Sequence, residues 1–215
     1  AGVSRIETID ALPRAVSIAR RINNQIIGAK GDVILESYLS GVEIAIDGMI
    51  YQGEIYPFVH HTKHPELAGP FFHEEAYFSQ TLRRRGEEFA TLKAFIQQLG
   101  LTSGPFHIEM RQNQEGHWKL LECAPRFSGM GLSTNTPFHL LTNKYAYDFL
   151  LCPQQLKDHC WVNSQECVVE FDFSVRNDGV LAGMNQLLAK IARLPNSEYY
   201  SYVTDGDFVF APPNN

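Results

Sequence analysis

The chain has 215 residues, 44% of them hydrophobic, a formal net charge of -6 and no basic run. That length allows one large or two small domains with a substantial core, and the acidic balance argues against a nucleic-acid partner. No apolar stretch reaches the roughly 18–20 residues of a membrane span, and the four cysteines, Cys123, Cys152, Cys160 and Cys167, form no C-x-x-C pair, which fits reduced thiols in a cytoplasmic protein.

The opening residues, Ala1 to Ile6, read as the end of a unit rather than its beginning. From Thr8 onward, Ile9, Leu12, Val16, Ile18, Ala19 and Ile22 recur at helical spacing, with Thr8 placed to cap and Pro13 in the early turns. Val33-Ile34-Leu35 predicts a strand running into Glu36-Ser37-Tyr38-Leu39, with a turn at Gly41 before Glu43. Glu43 to Tyr51 alternates around Asp47-Gly48, a hairpin signal, and Tyr56 to His60 predicts a further strand.

His60, His61, His64 and His73 invite a zinc reading, but their spacing matches no common zinc pattern; a histidine-lined loop bordering an anionic substrate is the preferred alternative. The long connection from His64 to Gln80 is of the kind that carries function. Leu82 to Leu99 predicts a helix whose apolar stripe holds Leu82, Phe89, Leu92, Phe95, Ile96 and Leu99, with Gly100 as its C-cap. Arg83, Arg84 and Arg85 are expected in a solvated first turn.

Phe106 to Arg111 alternates as a half-buried strand, Asn113 to Gly116 is a turn signal, and Trp118 to Cys123 is the returning strand. A two-residue turn centred on Glu115-Gly116 faces Gln114 with His117 and hence Glu109 with Glu122 across the ladder. Alternation along the returning strand puts Trp118, Leu120 and Glu122 on one side and Lys119, Leu121 and Cys123 on the other. Two facing carboxylates repel, and Mg²⁺ would relieve the conflict. A longer turn would slip the register and leave both as solvated strand residues.

The hairpin followed by Glu122-x-x-x-Arg126-x-x-Gly129, with Glu36-Ser37-Tyr38-Leu39-Ser40-Gly41-Val42-Glu43 upstream, resembles the ATP-grasp ligases over about residues 1 to 150. The resemblance implies an α+β fold: the C-terminal lobe of an ATP-grasp domain, an antiparallel sheet with flanking helices, over residues 1–153, and a small α+β module over 154–215. It implies an ATP-dependent ligase that activates a carboxylate as an acyl phosphate for attack by an amine. Glu36, Ser37 and Leu39 would read the adenine, Glu43 the ribose, and Lys63 would approach the phosphates. Glu109 and Glu122 would hold Mg²⁺, for which Mn²⁺ can substitute, and Arg126 would meet the transferring phosphate. Gly2 corresponds to the last glycine of a phosphate-covering loop, so an N-terminal portion with its lysines is expected as a partner, and a homodimer is compatible with the family. Ala124 stands where many members carry an asparagine metal ligand, which leaves one or two ions open.

The alternatives kept beside this reading are a nucleotide-binding module without turnover and a metal-binding protein built on the histidine loop. Ser133 to Thr136 predicts either a polar pocket edge or a helix cap, ahead of a helix carrying Leu140, Leu141, Tyr145 and Phe149. Pro153 marks a boundary, beyond which a strand over Val168 to Val175, a helix over Gly179 to Arg193 and a hairpin about Asp205-Gly206 are expected.

Overall fold

The computed structural model describes residues 3–26, 32–64, 76–81, 86–129, 132–158, 166–171, 175 and 177–210. The expectations on Gly2, His73, Leu82, Arg83 to Arg85, Gly131 and Cys160 lie outside them. Contacts divide the chain into two compact units, Ala1–Asp172 and Phe173–Asn215.

The first unit is built on a six-stranded antiparallel sheet in the order β5-β4-β1-β2-β3-β6. Its strands are β1 (Glu43–Tyr51), β2 (Glu54–His64), β3 (Ala76–Gln80), β4 (Gly104–Gln112), β5 (Trp118–Ala124) and β6 (Val168–Phe171). The sheet runs past Pro153, because β6 pairs with β3 through Phe78 and Val169. Helix α1 (Leu12–Ile26) follows a single 3-10 turn over Ile9–Ala11, with Thr8 extended before it. The expected strand at Val33 to Leu35 does not form: residues 32–40 have no helix or strand, and Ile34 and Leu35 are exposed.

Asp47-Gly48 is not a turn. It lies inside the nine residues of β1, and the hairpin turns instead at Gln52-Gly53, both at positive φ, which matches the twist of the flanking strands. A glycine is required at 48 for another reason: a Cβ there would come within 2.8 Å of both the Phe106 ring and Pro57 Cα. The β1–β2 register shifts at this point, where Pro57 has no N–H for the ladder.

Period-two alternation separates the faces of the sheet. One face is apolar: Ile44, Ile46, Ile50, Ile55, Phe106, Ile108, Met110 and Trp118 pack with Leu92 and Ile96. The latter two belong to α2 (Glu87–Gln98), which ends at Leu99 before a left-handed Gly100 as expected, although Leu99 itself is exposed. The opposite face is apolar at one end, where Met49, Tyr56, Phe58 and Val59 meet Phe127, Phe138 and Phe149. Phe58 and Phe138 stack with centroids 4.6 Å apart. Phe138 belongs to α3 (Leu132–Thr142) and Phe149 to α4 (Asp148–Leu151), so the single helix expected over this stretch is two, parted at Asn143 with φ 58°.

The second unit contains α5 (Met184–Ile191) and a two-stranded pair, β7 (Gly179–Val180) and β8 (Phe208–Val209). Asp205 caps the helix, accepting from Met184 N–H at 2.7 Å and Asn185 N–H at 3.2 Å.

Candidate active site

The rest of the second face of the sheet is ionic. Glu43 and Asp47 on β1, His61 and Lys63 on β2, Ser79 on β3, and His107 and Arg111 on β4 are all buried there, with Glu109 of β4 half-buried among them. Register explains the gathering: Glu43 pairs with Arg111, Ala45 with both Glu109 and His61, and Asp47 with His107.

These side chains form a continuous network. Lys63 Nζ donates to Glu43 Oε1 at 2.7 Å and to Glu109 Oε1 at 2.9 Å. Arg111 donates through Nε to Gly41 O at 3.0 Å, and its terminal nitrogen lies 3.5 Å from Glu43. His107 bridges two carboxylates, with Nδ1 3.2 Å from Asp47 and Nε2 3.2 Å from Glu109 Oε1. Asp47 Oδ2 is 3.0 Å from His61 Nε2, whose Nδ1 is 2.8 Å from Ser79 Oγ.

Burial alone would push His107 down, but its hydrogen bonds to Asp47 and Glu109 outweigh it and hold the imidazole at about 9. At neutral pH it is therefore an imidazolium with both nitrogens donating. Burial likewise raises the two carboxyls, and the same bonds prevail: Asp47 is held at about 2 by His107 and His61, and Glu109 at about 2 by His107 and Lys63. Three carboxylates, Glu43, Asp47 and Glu109, are thus matched by Lys63, Arg111 and the His107 cation, which is how so much charge is tolerated inside the fold. The Ser79-His61-Asp47 array has the connectivity of a nucleophile triad, yet Ser79 is fully buried with no exposed surface from which to attack.

The expected facing of Glu109 and Glu122 is observed. It arises differently from the sequence reading. The hairpin loop has three residues, Gln114 to Gly116, closed by Asn113 N–H to His117 O at 2.9 Å, with Gly116 at φ 82°. Near the loop Gln112 pairs with Trp118 and Met110 with Leu120; a bulge then places one extra residue, Leu121, before Glu122 meets Glu109. The bulge also corrects the faces. Cys123, not Glu122, continues the apolar side with Trp118 and Leu120, and Glu122 turns to the ionic side.

Other expected site residues are placed as follows. Lys63 lies within β2, beyond the His60 end expected for that strand, and is buried between Glu43 and Glu109. Glu36 and Ser37 are exposed and Leu39 is half-buried, on a segment fastened by Tyr38, whose ring has the Arg5 and Arg111 guanidinium carbons 4.2 and 5.2 Å from its centroid. Glu43 does not stand open to solvent; it carries the Lys63 and Arg111 ion pairs. Arg126 is exposed, donates to Phe127 O at 2.9 Å and reaches only 4.0 Å from Glu122. Its loop is anchored by buried Phe127 and by Ser128 N–H, which donates to Asp47 Oδ1 at 2.7 Å. Ser128 Oγ also bonds Thr134 at 2.8 Å, so Thr134 serves this loop. His60 and His61 are adjacent on one strand and point to opposite faces, so they cannot share an ion.

The donor set fits Mg²⁺. Glu109 accepts from Lys63 and His107 through Oε1 alone among the described residues, and Glu122 is largely exposed, with a long contact to Arg126. Among the described residues no group of three or more His, Cys, Asp or Glu could hold a metal, so there is no closed cage of the zinc type. Two carboxylates with open coordination are what Mg²⁺ takes when substrate phosphates and water complete its shell. Asp47 and His107 were not singled out from the sequence, although the alternations 43-45-47 and 107-109-111 place them beside the acidic residues. A shallow groove of about 430 Å³ on α1, lined by Pro13, Val16 and Arg20 among others, contains none of these residues. Among the described residues no helix is long and apolar enough to cross a membrane.

A model of the ATP-grasp domain matches residues 1–134. Among solved structures, L-amino acid ligase from Bacillus licheniformis superposes with a TM-score of 0.78 at 18% identity, over 98% of this chain and 54% of that one. N5-carboxyaminoimidazole synthase from Aspergillus clavatus, solved with ADP, gives 0.59 at 14% identity, over 95% and 52%. The biotin carboxylase domain of 2-oxoglutarate carboxylase from Hydrogenobacter thermophilus, in complex with MgADP and bicarbonate, gives 0.52 at 11%, over 78% and 37%. The chain spans about half the length of the first two. No curated protein sequence matches it.

Proposed function

The chain belongs to the ATP-grasp domain family, and from that premise we propose that the full-length protein is an ATP-dependent ligase joining a small carboxylate to an amine or similar nucleophile. A substrate carboxylate oxygen attacks the γ-phosphorus, the bond to the β–γ bridging oxygen breaks, and ADP leaves. The amine then attacks the acyl carbon, phosphate departs with the bonding pair, and the amine loses a proton. Catalysis of such a transfer rests mainly on positioning and on stabilising the charge that develops at the phosphoryl oxygens.

In this reading Glu109 and Glu122 hold Mg²⁺, which when bound neutralises phosphate oxygens. Arg126 presents a planar fork to the transferring group, which suits bidentate phosphate binding and explains an exposed arginine on a tightly anchored loop. Lys63 and Glu43 act as positioning residues, because Lys63 Nζ is committed to both Glu43 and Glu109. Glu36, Ser37 and Leu39 meet the nucleoside, on a segment tied to β4 through Tyr38 and Arg111. The observation that carries the reading is the facing of Glu109 and Glu122 beside a lysine on the ionic side of the sheet.

The test is Glu122→Gln in the full-length protein. An exposed isosteric change should leave stability within about 0.5 kcal/mol while Mg²⁺-dependent ADP formation from candidate acids and amines is lost; unchanged turnover removes the assignment. Ala124, opposite His107, favours a second reading, a nucleotide-binding module without turnover. Nucleotide binding with no ADP formed under any acid and amine pairing would select it.

A further inference from the structure

Asp47 is fully buried, so it touches no substrate, yet it lies at the junction of three elements. Oδ1 accepts from Ser128 N–H at 2.7 Å, Oδ2 is 3.0 Å from His61, and both oxygens are 3.2 Å from His107 Nδ1. The far nitrogen of His107 meets Glu109 Oε1 at 3.2 Å. A carboxylate held from three sides cannot rotate, so the imidazole it grips is fixed in plane, and the glutamate beyond is fixed in turn.

Resting on the ligase reading above, we propose that Asp47 and His107 are positioning residues for the metal-binding carboxylate: they lock Glu109 through Oε1 so that its other oxygen stays presented towards a divalent cation shared with Glu122. Three features of the structure favour this over a purely structural role. Among the described residues both hydrogen bonds of Glu109 converge on one oxygen, an asymmetry that leaves the second without one. The bridge runs between the two carboxylates, with separate nitrogens of one ring bonding each, as carboxylate-histidine pairs do when they orient a metal ligand. Replacing buried ionic groups by apolar ones of similar size is often neutral or stabilising, so packing alone gives no reason for a charged cluster here.

Asp47→Asn tests it in the full-length protein. The amide keeps one oxygen to accept from Ser128 N–H, but it loses the negative charge and one of the two oxygens that His107 Nδ1 meets at 3.2 Å, so the grip on the imidazolium is weakened with little change of shape. Mn²⁺ titrations followed by electron paramagnetic resonance, with ADP present, read the metal site directly; ADP binding without metal reads the nucleotide site. Outer-sphere changes of this kind cost about 10- to 100-fold in metal affinity, so Asp47→Asn and His107→Gln are each expected to weaken Mn²⁺ by that range, with metal-free ADP binding within about twofold of the parent. Should Asp47→Asn not fold, His107→Gln alone decides. Ser79→Ala, at the far end of the array beyond His61, is expected to leave Mn²⁺ affinity unchanged. A loss smaller than tenfold in the first two, with Glu122→Gln abolishing Mn²⁺ binding, overturns this inference and leaves the ligase reading standing. So does an equal loss in Ser79→Ala, which would mean general loosening. A parent protein that binds no Mn²⁺ with ADP overturns both.

Discussion

Lys63→Met probes the ionic face most directly, because the lysine is the cation between two of its carboxylates. Methionine keeps the stem volume and removes the charge, leaving Glu43 with Arg111 at 3.5 Å and Glu109 with His107 at 3.2 Å. Removing one partner of a buried ion pair costs about 3–5 kcal/mol. Since each abandoned carboxylate retains one cation, the lower end, about 3 kcal/mol, is expected. With a urea slope of about 2 kcal/mol per molar the unfolding midpoint should fall by about 1.5 M. Trp118, buried against α2, gives the fluorescence signal. A double-mutant cycle with Glu43→Gln should return a coupling of about 1–3 kcal/mol for the 2.7 Å pair. A loss below about 1 kcal/mol, within the range of exposed pairs, would refute the account of Lys63 as a buried counter-ion.

Two further outcomes follow from the same coordinates. His60 is held down to about 4 from 6.5, first by burial and then by the neighbouring His61, and its Nε2 has no hydrogen-bond partner among the described residues. Between those values the unfolded chain takes up a proton that the native protein refuses, so stability falls as pH drops from 6.5 towards 4, by about 3 kcal/mol at the limit. His60→Leu should flatten that part of the stability-against-pH curve, measured by urea unfolding at successive pH values; an unaltered slope would exclude His60 as its source. Gly48→Ala places a methyl group within 2.8 Å of the Phe106 ring and Pro57 Cα, and should cost about 1–3 kcal/mol by overpacking; a melting temperature equal to the parent's would contradict the tight approach.

Hydrophobic alternation made β4, β5 and α2 readable in the sequence, because each presents one apolar stripe to a single core. The facing of Glu109 and Glu122 was also legible, but only because two departures cancel: the loop is one residue longer than a two-residue turn, and the bulge at Leu121 gives the residue back. Counting back from a turn cannot detect such a pair of offsets. Asp47-Gly48 misled for a different reason. The dipeptide favours turns when its carboxylate bonds locally, whereas here the carboxylate bonds His61, His107 and Ser128, the last two 60 and 81 residues away along the chain. Tertiary partners at that separation leave no local mark. Likewise, nothing near Lys63 in the chain shows that it is enclosed by Glu43 and Glu109, and Val33 to Leu35, apolar enough for a strand, pair with no neighbour among the described residues.

The bulge has a consequence for how this hairpin could change. Bulges pin a ladder, so the orientation of Glu122 is anchored on the body of the sheet, independently of what lies at the tip. Gln114 and Glu115 are exposed there, beyond the last paired residues Gln112 and Trp118. The tip is therefore a natural splice point, where an epitope or fluorescent peptide could be grafted without turning the acidic side chain away from its opposite number.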